Sequence, residues 1–83
     1  MTDTEILEEI KAIIEKQFGI EHENIEEDME LDQDLNITDL EIDDLISAIE
    51  YKYDIKIPEE KAADLVKVSD LVAYVYENIN KTI

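Results

Sequence analysis

Apolar residues recur at three- and four-residue steps through most of the chain, and that spacing confines it to packed helices. Ile6, Leu7, Ile10, Ile13, Ile14 and Phe18 draw one stripe on a helix predicted over residues 4–18. Thr2 or Thr4 can cap its start, Asp3 and Glu5 suit the positive end of its dipole, and Gly19 suits its left-handed end. A second stripe, Ile42, Leu45, Ile46, Ile49 and Tyr53, follows "TDLE", which matches a capping box with Thr38 as N-cap and Glu41 reaching back. Glu41, Asp44, Ser47 and Glu50 lie toward the other face. Pro58 is expected at the first position of a short third helix, "PEEKAADL". Ser69 is the expected N-cap of a fourth, with Leu71, Val72, Val75 and Ile79 as its stripe and Tyr76 at the margin.

Between the first two helices, residues 20–37 form a long acidic connection with scattered Ile25, Met29, Leu31 and Leu35. Eighteen structureless residues are unusual in a compact fold, so this segment is expected to be functional or packed. The outcome is an all-α architecture: three main helices, one short helix and one long loop, in a single domain over residues 1–83. A chain this short buries only about 60–65% of the surface it exposes when unfolded, so the core is modest.

Charge narrows the partners. Twenty-four Asp and Glu against seven Lys and Arg give a formal net charge of −17. Such a surface repels phosphate backbones and anionic lipid, so neither nucleic acid nor membrane is an expected partner. Basic patches on other proteins are. Without cysteine there is no disulfide framework, thiolate metal site or thiol nucleophile. The acidic N-terminus has no apolar run, so the expected compartment is the cytoplasm.

The chemical inventory is thin. Asp32, Asp34 and Asn36 space like the first ligands of a calcium loop, but Ile37 stands where the turn needs glycine and Asp43 where a longer Glu is usual. No specific metal site is expected. His22, the sole histidine, sits in a polar stretch and is expected to be solvated, with no nucleophile to activate. Tyr51, Tyr53, Tyr74 and Tyr76 read as packing residues with wet hydroxyls. Asn36-Ile37-Thr38 and Asn80-Lys81-Thr82 match the glycosylation pattern by chance, since no secretory signal accompanies them. An enzyme is not expected.

A family pattern runs through these same residues. It begins at "IIEKQFGI" and strengthens from Leu31, where Asp34, Leu35, Leu40, Glu41, Asp44, Leu45, Glu50, Tyr53, Asp54, Ile57, Pro58, Glu59 and Glu60 match without a gap. Over nearly its whole length the chain resembles acyl carrier proteins. The resemblance implies a four-helix bundle whose Asp-Ser-Leu motif carries 4′-phosphopantetheine on serine. It also implies an acidic second helix docked by basic patches of acyl-transfer, synthase or ligase enzymes, and a core able to shelter an acyl chain. Here the motif is Thr38-Asp39-Leu40, and the preceding glycine is Asn36.

Asp39 has no hydroxyl, so no prosthetic group is expected on it, and Thr38 is a weaker alternative one residue out of register. Asp39 either serves only the helix dipole, worth about 0.3–1 kcal/mol, or presents the negative charge of a modified carrier. The main expectation is an unmodified, monomeric, carrier-like protein of fatty acid or polyketide-type metabolism that docks through Leu40, Glu41, Asp44, Ser47, Glu50 and Tyr51. One alternative is a working carrier with its arm on another hydroxyl, or a form whose serine has been replaced. Another is an acidic module responsive to divalent metal.

Overall fold

The computed structural model describes residues 1–79, so the Asn80-Lys81-Thr82 match lies outside the described residues. Four α-helices form in the expected order: α1 (Asp3–Phe18), α2 (Asp39–Tyr53), α3 (Glu59–Ala62) and α4 (Val68–Ile79). Among the described residues there is no strand, only one isolated antiparallel bridge between Glu30 and Lys67. The all-α, four-helix expectation holds.

Local chemistry sets the ends of the long helices. Thr2, not Thr4, caps α1: its hydroxyl accepts the Glu5 N–H at 3.2 Å while Glu5 accepts the Thr2 N–H at 2.9 Å. The helix therefore starts one residue earlier than the apolar stripe indicated. Gly19 closes it in the left-handed region at φ 72°. At the far end of α2 the same conformation falls to Asp54, φ 54°. Aspartate tolerates that region better than most side chains, and glycine is not the only signal for such an end.

Two expected caps are corrected. Pro58 is the extended N-cap of α3 rather than its first helical residue, and the helix spans only four residues of "PEEKAADL". The next turn tightens instead, with Asp64 N–H donating to Lys61 and Leu65 N–H to Ala62. Ser69 is not the N-cap of α4; the helix begins at Val68 and Ser69 is its second residue. Loop carbonyls of Met29 and Glu27 accept the N–H groups of Val68 and Ser69 at 3.1 and 2.8 Å. The Asp70 carboxylate accepts those of Val66 and Lys67 at 3.0 and 2.9 Å. With its first donors satisfied from outside, α4 has no need of a serine hydroxyl.

The long connection is a packed loop. Ile25, Leu31, Leu35 and Ile37 are all buried in the same cluster as Ile6, Ile10 and Ile14 of α1, Leu45, Ile46 and Ile49 of α2, and Leu71, Val72 and Val75 of α4. Ile42 and Tyr53, expected in the buried stripe, are only partly buried against it. Leu31 N–H donates to the Val66 carbonyl at 2.9 Å, which ties the loop to the segment before α4. The expectation for His22 is also corrected. It lies in a single 3-10 turn, His22–Asn24, with Nε2 at 2.7 Å from Glu8 Oε1 rather than simply in water. That contact, with Lys11 adding a smaller attraction, holds the Glu8 carboxyl below its ordinary range. Tyr53 donates to Glu9 at 2.7 Å and Tyr74 to the Lys56 carbonyl at 2.8 Å, so neither hydroxyl is merely wet.

Candidate functional site

The loop enters α2 through a left-handed residue. Asn36 has φ 58°, a conformation glycine adopts freely and asparagine tolerates better than most other residues. Asn36 thereby supplies the turn that leads into α2. Thr38 follows in extended conformation and closes the second capping box. Its hydroxyl accepts the Glu41 N–H at 3.3 Å and donates to the Glu41 carboxylate at 3.0 Å, and the Thr38 N–H donates to the same carboxylate oxygen at 3.0 Å. Asp39 is then the first residue of α2, exposed at the positive end of the helix dipole. The calcium-loop pattern fails on the same geometry. Its last five positions, Asp39 to Asp43, are helical, and Asp34 closes its own turn by accepting the Glu30 N–H at 2.8 Å. No cluster of three or more ligating side chains suited to a metal occurs among the described residues.

Along α2 the outward positions sort into two kinds. Leu40, Asp44, Ser47 and Tyr51 recur at four, three and four residues, share one exposed face, and place two large apolar side chains roughly 16 Å apart along the axis. Leu40 is 79% and Tyr51 91% exposed. Asp43, which the sequence pattern did not single out, stands exposed beside this face. Glu41 and Glu50, grouped with the face by sequence, are turned into local structure. Glu41 serves the capping box, and Glu50 accepts the Ile57 N–H at 2.7 Å, holding the α2–α3 connection. Sequence spacing places a residue on a face but does not say what its carboxylate accepts.

Beside Asp39 an open cleft of about 450 Å³ runs between α2 and the α3 segment. Leu31, Ile46 and Leu65 are its buried floor, and Asp32, Asp39, Asp43 and Glu59 are exposed at its edge. Nothing in the sequence pattern marked this cleft, because it is assembled from three separate segments, around residues 31–32, 39–46 and 59–66.

Residues 8–75 match the family described as the phosphopantetheine attachment site. The chain is 36% identical over 75 residues to an acyl carrier protein of Akkermansia muciniphila, covering 90% of this chain and 94% of that one. It is 34% identical over 73 residues to an acyl carrier protein of Helicobacter pylori (88% and 94% covered). With an acyl carrier protein of Campylobacter hominis it shares 31% over 77 residues (93% and 96% covered). The chain belongs to the acyl carrier protein family.

Membership agrees with the expectation of a carrier-type protein rather than an enzyme. The family's 4′-phosphopantetheine is joined through a hydroxyl oxygen, and the Asp39 side chain offers a carboxylate instead. The residue present does not fit that group. The neighbouring Thr38 hydroxyl is committed in both directions to Glu41. Ser47 is exposed two turns further along α2, and Ser69 lies in α4.

Proposed function

We propose that this acyl carrier family member works without the prosthetic arm, in the cytoplasm as a monomer, by docking acyl-processing enzymes through α2. The observation that carries this proposal is the carboxylate of Asp39 at the first position of α2, beside a threonine hydroxyl already spent on the capping box. The docking face is the exposed stripe of Leu40, Asp44, Ser47 and Tyr51 with Asp43 at its side. Glu41 and Glu50 support it by fixing the ends of the helix. A basic patch on an acyl-transfer, synthase or ligase enzyme is the complementary surface. The aspartates would speed encounter and the apolar anchors slow release.

Reversing Asp43 and Asp44 together to lysine tests this without disturbing either cap. Association with such an enzyme is expected to slow about tenfold or more at low salt, with the difference fading as salt rises and the dissociation rate little changed. Surface plasmon resonance across a salt series measures both rates. Identical association rates for parent and variant would remove the face assignment. The alternative carrier, with its arm on another hydroxyl, is favoured by one feature: Ser47 is exposed on this same face.

A further inference from the structure

We propose that the groove between α1 and α4 is a second docking surface, for a basic amphipathic helix of a partner protein. None of its lining residues lies in α2, so it is separate from the docking face proposed above. The groove has a volume of about 440 Å³. Leu7, Val72, Ala73 and Tyr76 give it an apolar lining, and Tyr76 is left 42% exposed there. Among the other exposed large apolar side chains, Leu40 and Tyr51 belong to the α2 face and Val66 to the cleft beside Asp39. Met1 is exposed too, just ahead of the lining residues Asp3 and Thr4.

Charge and backbone chemistry select the occupant. The charged residues of the lining, Asp3, Glu27 and Glu77, are all acidic and all exposed. Among the described residues neither the Glu27 nor the Glu77 carboxylate has a hydrogen-bond or ion-pair partner, whereas Glu41 and Glu50 of α2 are spent on local structure. The two free carboxylates stand at opposite ends of the groove. The Glu27 carbonyl accepts the Ser69 N–H at 2.8 Å, in the first turn of α4, and Glu77 follows roughly 12 Å further along the axis. A partner helix with Lys or Arg at positions i and i+7 spaces its charges to match. Apolar residues at i+3 and i+4 on the same face then meet Leu7, Val72 and Tyr76. An extended segment would press its backbone donors and acceptors against two helices, with no sheet edge among the described residues to receive them. A second copy of the chain would bring its own −17 to an acidic rim. No three ligating side chains among the described residues converge to hold a metal ion in place of a partner's cations.

The test is an NMR titration of the full chain, at neutral pH and 0.15 M salt, with a synthetic helical peptide of about twelve residues carrying this pattern: Lys at i and i+7, Leu at i+3 and i+4. A scrambled peptide of the same composition controls for bulk charge. The patterned peptide is expected to shift the signals of Leu7, Val72, Ala73 and Tyr76 saturably, and to bind at least tenfold more tightly than the scrambled one. Glu27→Gln combined with Glu77→Gln is expected to weaken it about fivefold, each exposed ion pair being worth a few-fold at most. Tyr76→Ala is expected to weaken it about tenfold through lost apolar contact. All three residues are exposed, and circular dichroism checks that the variants stay folded. Asp43→Lys combined with Asp44→Lys, on the α2 face, is expected to change the affinity less than twofold at this salt. Equal binding of the two peptides would overturn the proposal. So would shifts confined to α2, or an affinity indifferent to Glu27 and Glu77. Movement of the groove signals with protein concentration alone would assign the groove to a second copy and overturn it as well. No enzyme that docks on α2 enters these measurements, so a negative result removes the groove assignment and leaves the α2 proposal standing.

Discussion

Ile49→Ala is expected to lower the unfolding free energy by about 2–5 kcal/mol, the cost of truncating a buried aliphatic side chain and leaving a void. Ile49 is wholly buried on the inner face of α2, where Leu45 and Ile46 meet the same cluster as the α1 isoleucines. That cluster is the hydrophobic core of the described residues, and stabilities of small domains are themselves of that order. The variant should therefore be largely unfolded well below the parent's melting temperature. Ser47→Ala, two residues away on the exposed face, should change stability by about 0.5 kcal/mol or less. Urea unfolding followed by circular dichroism compares the two. Similar costs at both positions would mean that α2 does not present the face assigned to it, and the docking stripe would lose its structural basis.

Asn36→Val carries the next largest expectation, a loss of about 1–3 kcal/mol. A β-branched side chain cannot hold φ near 58° without strain, whereas asparagine and glycine can. The residue is exposed, so no buried contact is lost, and the effect isolates backbone conformation. Asn36→Gly should be close to neutral by the same argument. A stable valine variant would show that the turn into α2 is looser than its geometry implies. This prediction also bears on the family pattern. Asn36 can hold the left-handed turn that leads into α2, and in the function proposed above Asp39, which has no hydroxyl, carries no arm.

Much of the fold was legible because its signals are local. "TDLE" announces a capping box, and it forms; the first helix, for which Thr2 and Thr4 were both candidate caps, closes a second box at Thr2. The stripes of α1 and α4 found their buried faces because three- and four-residue recurrence is a property of the helix itself. What remained hidden depends on partners distant in sequence. Ser69 looked like a cap because nothing local reveals that Glu27 and Met29 will supply carbonyls to the start of α4. Asp54 ends α2 without the glycine that usually signals such an end.

The candidate site divides the same way. The start of α2 at Asp39, with Thr38 as its cap, was legible from the capping-box spacing. The inward turn of Glu50 toward Ile57, and the cleft whose floor joins Leu31 to Leu65, exist only once the chain has folded.

We propose that Asp39 disables attachment in an otherwise intact carrier fold. Its most direct test is to incubate the protein with coenzyme A and a broad-specificity phosphopantetheinyl transferase, beside Asp39→Ser, and weigh both intact. The expected result is an unchanged mass for the parent and the gain of one phosphopantetheine arm for the variant. A gain in the parent would contradict it, because another hydroxyl, with Ser47 the first to examine, would then be carrying the arm.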